Sequence, residues 1–528
     1  MDLAPFATTL APNGAVCAVD RLASEAGVAL LRAGGSAADA AIAASAVLAV
    51  TTQHMCGMGG DLFALVHDGA GVPTALNASG RAGAGADPER LRADGHRVMP
   101  RRGDIRAVPV PGCVDGWLTL HARYGRLPLS DVLEPARAYA ADGFPASQTL
   151  AWSCLLLEGL ADAADYTANG PVSVGTMIKR PGVARTLEAI ANGGRAAFYE
   201  GEFGEGLLAL GNGEYSRDDL TRPVADWVEP LQIEAWGHRV WTIPPNSQGY
   251  LTLAGAWIAA GLPLPADTED PQWAHLTVEA ARQAGFDRNA VLHEGADGAA
   301  LLDPRRLAPR RDAIDPERAA TLAVNVDGGG TIYLCAVDAD RMGVSLIQSN
   351  AAGWGSLMIV PGVRIFLQNR GLGFSLELGH PAEYGPGKRP PHTLSPAVVT
   401  RTRDDALEMT IGTMGGDSQP QILLQLLARL LHNEQTPADA IGAGRWVLTG
   451  PEGGAGFDTW DAHGRVRVAL EGNAPASWDD GLRARGHDTV RTDAFNHGFG
   501  HAHVIVNRDD HLAAASDPRA LAGGAAGY

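Results

Sequence analysis

The sequence predicts a large globular protein of mixed helices and strands, in the α/β or α+β class. Hydrophobic residues make up 45% of the 528 residues and charged residues 19%, which is typical of a folded protein and not of a disordered one. Segments between residues 115 and 300 have mostly helical patterns, whereas strand-like patterns dominate after residue 331. The helices are therefore expected to cover a sheet, and the length alone suggests two or three domains.

The charge of the chain excludes some classes of partner. Its formal net charge is −18, with no basic block to offset it, which argues against a general binder of nucleic acid or of anionic membranes. The five cysteines are far apart and form no CxxC pair, so neither a structural zinc site nor a disulfide framework is expected. A reducing cytoplasm is the simplest compartment for such a protein.

The start of the chain, MDLAPFATTLAPNGAV, lacks the basic region and apolar core of a signal peptide. The most apolar stretch, at residues 40–50, is much shorter than the about 20 residues that a membrane-spanning helix needs. It is predicted to be a buried helix of a soluble protein. The sequence has no metal-binding cluster or cofactor motif, and the glycines of GMGGDLF lack the lysine and helix of a phosphate-binding loop.

Two helices are predicted near the N-terminus. The first, SEAGVALLRAGG, begins at Ser24 and ends at Gly34 and Gly35. The second, SAADAAIAASAVLAV, begins after Ser36, and Asp39 at its third position gives a start that resembles a capping box. Both signals depend on polar side chains that bond the free N–H groups of a first helical turn.

Further elements follow from the same patterns. A glycine turn is predicted to lead into a strand at GMGGDLFALVHDG, with VPTALNASGRAG as its partner. The charged segment at residues 302–330 is predicted to be an exposed connection between two halves, where a processing site would be accessible. Other predicted helices are VDGWLTLHARYG, LSDVLEPARAYAADG, VARTLEAIANGG, WAHLTVEAARQAGFDRN and the segment after the glycine pair of GGDSQPQILLQLLARLLHNEQ, and other predicted strands are TIYLCAVD, GVSLIQSN and ALEMTIGTM.

Three glycines, at positions 328–330, stand directly before Thr331. A threonine hydroxyl is a weak nucleophile unless a base lies beside it, and one solution makes the threonine a free N-terminus whose α-amine is the base. That solution requires cleavage of the Gly330–Thr331 bond in a segment that can distort, and glycines give such freedom. The same residues also fit an ordinary loop that enters a strand, and both interpretations stay open on this stretch alone.

A second motif can stabilise an oxyanion. The run TIGTMGGDSQPQILLQLLARLL combines a strand, the pair Gly415 and Gly416, and a helix. Backbone N–H groups at such a turn face a helix N-terminus and can stabilise developing negative charge. A simple tight turn has the same pattern, so the motif alone is not specific.

Taken together, these motifs resemble the gamma-glutamyltransferase family. The likeness includes Thr331, the pair Gly415 and Gly416, the run GKRPPHTLSP and the ending SDPRALAGGAAGY. It also includes, in family order, RAGGSAADAAIAA, VPGCVDGWLTLHARYGRLPLSDVLEPARAYAADGFPAS, IPPNSQGYLTL and EAARQAGFDRN. The likeness covers nearly the whole chain, and an ordered set of this kind is far more specific than any one motif.

The resemblance implies a four-layer αββα sandwich of the N-terminal-nucleophile hydrolase type, made as an inactive precursor. It implies cleavage before Thr331 into a large subunit, residues 1–330, and a small subunit, residues 331–528, which remain one intertwined catalytic unit. It further implies that Thr331 attacks an amide carbonyl, that Gly415 and Gly416 stabilise the acyl-enzyme, and that water or an amine accepts the acyl group. The expected partners are a small amide substrate, its acceptor, and the two subunits as a heterodimer or a dimer of heterodimers.

Two residues match substrate-site positions of the family, and a third matches a residue that supports the nucleophile. Arg81, in NASGRAGAG, matches an arginine that pairs with the substrate α-carboxylate, a role that suits a guanidinium. Asn350 matches an asparagine of the substrate site. Ser349 is the candidate for the family threonine that hydrogen-bonds the nucleophile, with a one-residue gap in the match. The alternative for Arg81 is an exposed loop arginine.

The run LQNRGLGFSL departs from the family pattern. Members that act on γ-glutamyl groups carry an acidic residue here that binds the α-ammonium, whereas this chain has Gly373, with Arg370 in place of a usual glutamine. His392 and Thr393 replace a usual serine pair, and Asn369 is a further candidate for binding the substrate. The alternatives are a surface ion pair for Arg370 and a backbone hydrogen bond for His392.

These departures favour a divergent, amidase-like branch of the family that includes proteins resembling cephalosporin acylase and oxamate amidohydrolase. The segment SLELGHPAEYGP is short for the family, so an open pocket is expected that favours water as the acceptor. Two arginines near the nucleophile would suit an acyl group that carries a carboxylate but no ammonium. An orthodox gamma-glutamyltransferase acting on glutathione, and an uncut, inactive homologue serving as a binding protein, stay open as alternatives.

Overall fold

The computed structural model describes residues 6–321, 330–450 and 466–528, and strands in these ranges build two large sheets. The strands are β1 (Thr9–Ala11), β2 (Ala15–Ala18), β3 (Asp61–His67), β4 (Thr74–Ala78), β5 (Phe144–Pro145), β6 (Met177–Ile178), β7 (Asp226–Val228), β8 (Leu231–Ala235), β9 (His238–Thr242), β10 (Gly330–Val337), β11 (Gly343–Ala351), β12 (Ile359–Val360), β13 (Ile365–Phe366), β14 (Ala397–Arg401), β15 (Leu407–Thr413), β16 (Trp446–Thr449), β17 (Arg467–Leu470), β18 (Asp488–Arg491), β19 (Ala502–Asn507), β20 (Leu512–Ser516) and β21 (Gly524–Gly527).

Helices lie outside the sheets and in the connections between them. The α-helices are α1 (Arg21–Arg32), α2 (Ala37–Thr51), α3 (Pro88–Ala93), α4 (Cys113–Tyr124), α5 (Leu129–Asp142), α6 (Gln148–Ser153), α7 (Ala164–Thr167), α8 (Pro181–Tyr199), α9 (Glu202–Gly211), α10 (Arg217–Thr221), α11 (Tyr250–Ala260), α12 (Pro271–Gly285), α13 (Arg288–Val291), α14 (Gly298–Leu301), α15 (Pro304–Asp312), α16 (Gln419–Leu427), α17 (Pro437–Gly442) and α18 (Ala476–Ala484). In the described ranges, no helix combines the length and the apolarity needed to cross a bilayer.

Two seven-stranded antiparallel sheets form the centre of the fold. The first has the strand order β1-β20-β19-β15-β14-β9-β8, and the second has the order β21-β2-β10-β11-β3-β4-β7. Their facing sides bury a layer of apolar side chains, among them Phe63, Trp241, Tyr333, Val398 and Ile505. Alternate residues of a strand point to opposite faces, so each sheet has a second apolar face that helices can cover.

A helical layer covers the outer face of each sheet. In β10, Ile332 and Leu334 pack with α2, whereas Tyr333 and Cys335 point into the layer between the sheets. Helices α11, α12 and α16 cover the other sheet, where they pack against residues such as Ile411 of β15. The predicted four-layer αββα sandwich is therefore confirmed.

The two halves of the chain are interleaved in both sheets. In the second sheet, β10 and β11 from the second half lie between β2 and β3 from the first half. In the first sheet, β14 pairs with β9, and β20 pairs with β1 near the N-terminus. Each sheet therefore requires strands from both sides of residue 331.

Several local predictions are confirmed. Helix α2 begins with a capping box, in which the Ser36 side chain accepts from the Asp39 N–H and the Asp39 carboxylate accepts from the Ser36 N–H. Every residue of α2 is buried, as its apolar composition predicts. The strands β3 and β4 form the predicted pair, which is antiparallel, and α16 follows the glycine turn after a short 3-10 turn.

Other local predictions were wrong in part. Helix α1 begins at Arg21 and not at Ser24, because the Asp20 carboxylate accepts from the Leu22 N–H and caps the helix one turn earlier. Ser24 lies inside the helix and donates from Oγ to the Gly524 carbonyl at 2.7 Å.

The segments on either side of α11 and α12 also differ from expectation. The stretch of predicted helices includes three short strands, of which β7 and β8 are edge strands and β9 lies between β8 and β14. The predicted exposed connection at 302–330 contains helix α15, which Asp303 caps through the Arg305 N–H and which Arg310 ties to Asp287. Residues 322–329 of that connection lie outside the described residues.

We expect Gly412→Ala to lower the Tm. Gly412 lies in β15, and a Cβ there would meet Tyr333 Cε2 at 2.2 Å, so the methyl group must displace a ring that is buried between the sheets. Overpacking of this kind costs about 1–3 kcal/mol. Gly255→Ala, in α11, is the control, since its Cβ makes an ordinary contact with Leu424 at 3.4 Å and alanine favours a helix. Calorimetry that found the same Tm for both variants would contradict this packing.

Candidate active site

Thr331 lies at an irregular point near the start of β10. Gly330 pairs with Ala351 and Ile332 with Gln348, and the register of β10 against β11 shifts between Gly330 and Ile332. Thr331 is fully buried, and its Oγ1 lies 3.0 Å from Ser349 Oγ. The structure thus brings together the predicted nucleophile and the serine predicted to support it. The glycines at positions 328 and 329 lie outside the described residues.

Arg370 follows Ser349 in the same hydrogen-bonded chain. Its Nη2 donates to Ser349 Oγ at 3.0 Å, and its Nη1 donates to Thr393 Oγ1 at 3.0 Å. The Ala351 N–H also donates to Ser349 Oγ, at 2.8 Å. Thr331, Ser349, Arg370 and Thr393 therefore form one continuous network.

Arg370 is a buried cation, only 5% exposed. Burial lowers the pKa of its guanidinium to about 10, while the carboxylates of Asp61 and Asp417 oppose that shift, so the group stays charged at neutral pH. Among the described residues, no carboxylate lies within ion-pair distance of it, and its Nε has no hydrogen-bond partner. The surface ion pair that the sequence left open does not occur there, and the guanidinium keeps capacity for an anion.

The Gly415–Gly416 turn has the geometry of an oxyanion site. Gly415 has φ 138° and Gly416 has φ 56°, a region that favours glycine. The Gly415 carbonyl accepts from Ser418 Oγ at 2.7 Å and from the Ser418 N–H at 3.0 Å. In a trans peptide the Gly416 N–H points away from that carbonyl. Neither the Gly415 nor the Gly416 N–H donates to an acceptor within the described ranges, so both can serve a ligand.

A buried polar network supports this turn from behind. Gln248 Nε2 donates to the Gly416 carbonyl at 2.9 Å and to the Thr393 carbonyl at 3.1 Å. Arg288 Nε donates to Gln248 Oε1 at 2.9 Å, and Arg288 Nη2 forms an ion pair with Asp417 at 3.0 Å. This network connects the glycine turn to the segment that carries Thr393, and its hydrogen bonds hold the turn in place without a ligand.

His392 pairs with a buried carboxylate instead of only with backbone. The Leu394 N–H donates to His392 Nδ1 at 3.3 Å, which places the ring proton on Nε2, and Nε2 donates to Asp61 Oδ2 at 3.2 Å. The other Asp61 oxygen accepts from Gly80 N–H and from Gln368 Nε2. Burial, together with Arg370, lowers the pKa of His392 to about 3, so the imidazole is neutral.

The two predicted asparagines hold backbone segments at the site. Asn350 Nδ2 donates to the Gln53 carbonyl at 3.1 Å, while its Oδ1 has no hydrogen-bond partner among the described residues. Asn369 Nδ2 donates to the Arg101 carbonyl at 2.7 Å, and its Oδ1 accepts from the Ala352 N–H at 2.9 Å. Both side chains are fully buried.

Arg81 lies apart from this group. Its Nη1 donates to Glu294 Oε1 at 2.6 Å and to the Gly387 carbonyl at 2.9 Å, and its side chain is 28% exposed. It does not line the cavity beside Arg370. The structure therefore brings Thr331, Ser349, Arg370, Thr393 and the glycine turn into one site, with Arg81 in an ion pair elsewhere.

A cavity of about 600 Å³, here called the arginine cavity, opens beside this network. Its polar lining includes Arg370, Arg288 and Thr393. Gly373 also lines it, and a Cβ at that position would meet the Pro391 carbonyl at 2.3 Å, which leaves no room for an acidic side chain. Among the described lining residues, the one carboxylate is that of Glu377, which is exposed.

Reasoning from the sequence missed three residues of this site. Arg288 stands in EAARQAGFDRN and Gln248 in IPPNSQGYLTL, two runs that carried the family likeness without an assigned role. Asp61 follows the glycines of GMGGDLF. These polar residues inside otherwise matching motifs were the available signal. The described residues contain no cluster of three His, Cys, Asp or Glu side chains suited to a metal ion.

The chain is similar to known proteins over its full length. The family model Gamma-glutamyltranspeptidase matches residues 23–528. The oxamate amidohydrolase proenzyme of Klebsiella pneumoniae is 35% identical, with 99% of each chain covered. The glutathione hydrolase-like proenzyme of Bacillus subtilis is 35% identical over 94% of this chain and 95% of its own. The crystal structure of cephalosporin acylase from Bacillus halodurans has a TM-score of 0.90 and 31% identity, and covers 100% of this chain and 99% of its own.

We expect His392→Gln to reduce the loss of Tm that occurs when the pH is lowered. The pKa of His392 is about 3 in the folded chain, against an ordinary 6.5, so the unfolded chain binds a proton in this window that the folded chain excludes. The neutral ring thus contributes stability that is present above pH 6.5 and is lost as the pH falls towards 3. Glutamine keeps a donor for Asp61 but does not titrate.

The measurement is the Tm as a function of pH, with His511→Gln, a partly exposed histidine, as the control. The slope between pH 6.5 and 3 should be smaller for His392→Gln than for the control. Equal slopes would mean that His392 is not held neutral by its surroundings.

Proposed function

Because this chain belongs to the gamma-glutamyltranspeptidase family and is a self-processing amidohydrolase of the N-terminal-nucleophile type, we propose that Thr331 is its nucleophile. In the precursor, the Thr331 hydroxyl attacks the Gly330 carbonyl carbon, and the peptide nitrogen leaves as the Thr331 α-amine with the hydroxyl proton. Water then hydrolyses the ester. The products are a large subunit, residues 1–330, and a small subunit, residues 331–528.

The new α-amine then acts as the base in turnover. It takes the proton from Thr331 Oγ1, which attacks the substrate amide carbonyl, and the Gly415 and Gly416 N–H groups stabilise the oxyanion. The amine half of the substrate leaves with that proton, and its acyl half remains as an ester on Thr331 until water hydrolyses the ester. Ser349 Oγ accepts from Arg370 and Ala351 and lies 3.0 Å from Thr331 Oγ1, so Ser349 holds the nucleophile in a hydrogen bond in which either hydroxyl can donate.

The substrate that the site fits best is an amide whose acyl group carries a carboxylate. The observation that carries this proposal is the buried cation Arg370, which has no ion-pair partner among the described residues. Two hydrogen bonds of 3.0 Å separate it from Thr331 Oγ1, so a carboxylate bound there must lie close to the attacked carbonyl. An oxamate-like acyl group meets this requirement, and one relative is named an oxamate amidohydrolase proenzyme.

The site lacks a buried carboxylate among the described lining residues to bind an ammonium group on the acyl chain. The family position of the acidic residue is Gly373, whose surroundings exclude a side chain, and the exposed Glu377 is the one carboxylate among the described lining residues. A γ-glutamyl substrate would bring its α-ammonium towards Arg370 and Arg288. Hydrolysis of an anionic acyl amide is therefore favoured over action on glutathione.

The other predicted binding residues take different parts in this proposal. Thr393 orients the Arg370 guanidinium, and His392 holds Asp61 beside it. Asn350 and Asn369 fix the backbone around the nucleophile, and the unpartnered Oδ1 of Asn350 can accept from substrate. The predicted contact of Arg81 with a substrate carboxylate stays a prediction, and mutation of both arginines tests it.

We expect Thr331→Ala to abolish processing. Without the hydroxyl the precursor has no nucleophile, so intact-mass analysis should show one species at the full 55.0 kDa. Thr331→Ser keeps a hydroxyl, so this variant should still be cleaved before residue 331 into two subunits. Cleavage before residue 331 in the alanine variant would refute self-processing by this residue.

We expect Arg370→Gln in processed protein to reduce kcat/KM for oxamate by about 30-fold or more, since loss of one partner of a buried charge pair costs about 2 kcal/mol or more. Arg81→Gln is expected to lose far less, because Glu294 and the Gly387 carbonyl already engage that guanidinium. A larger loss of kcat/KM for Arg81→Gln than for Arg370→Gln would show that Arg81, and not Arg370, binds the substrate carboxylate. A γ-glutamyl anilide preferred over oxamate by the wild type would favour the orthodox transferase.

A further inference from the structure

A second cavity, of about 610 Å³, lies against the same glycine turn. It is here called the tryptophan cavity, because Trp152 and Trp354 line it together with Leu156. Met414 and Gly415 form its wall towards the oxyanion site. Trp152, in α6, is 58% exposed, and Trp354 Nε1 donates to the Ser153 carbonyl at 3.0 Å, which fixes α6 beside the buried indole.

The two cavities reach neighbouring residues at the end of β11, the strand that pairs with the nucleophile's strand. Ala351 lines the arginine cavity, and the next residue, Ala352, lines the tryptophan cavity. Gly330, directly before Thr331, pairs with Ala351 in the ladder of β10 and β11. An amide attacked by Thr331 has an acyl half and an amine half, and these must extend in opposite directions from the reacting carbon. The two neighbouring cavities offer one space for each half.

The lining of the tryptophan cavity indicates what it can bind. His54 lines it at 5% exposure, and neither ring nitrogen has a hydrogen-bond partner among the described residues. Burial lowers the pKa of His54 to about 3, so the ring is neutral and can accept a hydrogen bond from a ligand. Arg101 and Arg102 also line the cavity and are exposed, and in the described ranges neither forms an ion pair with a carboxylate. Aromatic walls and two arginines suit a flat, anionic group.

We propose that the tryptophan cavity binds the amine half of the substrate, and that this half is an aromatic amine bearing a carboxylate. The proposal rests on the proposed function, because it assigns the leaving group of the same reaction. When Thr331 Oγ1 attacks, the C–N bond breaks, the ester bond to Thr331 forms, and the aromatic amine leaves with one proton. Water then releases the acyl group as a dicarboxylate and restores the threonine.

The experiment holds the acyl group constant and varies the amine. The substrates are oxamate, N-phenyloxamate and N-(4-carboxyphenyl)oxamate, whose leaving groups are ammonia, aniline and 4-aminobenzoate. For wild-type processed protein, kcat/KM is expected to rise in that order. Trp152→Ala should lower the ratio of kcat/KM for either anilide to that for oxamate about tenfold. Arg102→Ala should lower the ratio for the carboxylated anilide alone.

Leu155→Ala is the matched control. Leu155 lies three residues from Trp152 and is 77% exposed, but it does not line the cavity among the described residues, so its ratios should equal those of the wild type. A Trp152→Ala variant with wild-type ratios, or ratios lowered equally by Leu155→Ala, would overturn the proposal.

A separate measurement keeps this proposal distinct from the proposed function. If wild-type protein hydrolyses none of the three amides, the acyl assignment fails, and calorimetric titration with 4-aminobenzoate then tests the amine site alone. Binding that is lost in Trp152→Ala and kept in Leu155→Ala supports the site. Absence of binding to the wild type overturns it.

Discussion

The antiparallel pairing of β10 between β2 and β11 is the constraint on which the site depends. A strand hydrogen-bonded on both sides cannot shift without breaking two ladders, so the first residues of β10 are fixed relative to β11. Thr331 takes its position from that pairing, and Ser349 reaches it from the neighbouring strand. Both strands are buried between a helical layer and the opposite sheet. The rigidity of the reactive group thus derives from the core of the fold.

Burial in the same core destabilises the charged guanidinium of Arg370. Removing a charge from water costs several kcal/mol unless partners compensate. Arg370 donates to the hydroxyl groups of Ser349 and Thr393, and the more distant carboxylates of Asp61 and Asp417 stabilise its charge. Among the described residues, however, Arg370 has no direct counter-ion. A bound carboxylate would supply that missing charge. The polarity of the site is therefore preorganised for an anion before any ligand arrives.

The layers of the fold were predictable because periodicity and family motifs are strong signals over long segments. Capping at Ser36 was predicted correctly, whereas α1 begins earlier because Asp20 caps it, and a choice between two nearby capping residues depends on tertiary contacts. The positions of Thr331 and the glycine turn followed from motifs. The pairing of Arg288 with Gln248 did not, since residues forty positions apart carry no local sign that they meet. Which arginines face the cavity is a property of packing and not of pattern.

The interleaving of the two halves has a consequence for the lifetime of the protein. While the chain is continuous, its refolding is unimolecular. Once the proposed cut before Thr331 has been made, strands β2, β3 and β9 belong to a different molecule from strands β10, β11 and β14, although they still share two sheets. Refolding then requires an encounter between two pieces, neither of which can complete a sheet alone. Maturation would thus replace equilibrium stability with kinetic stability, and the working life of the mature form would be set by its rate of unfolding.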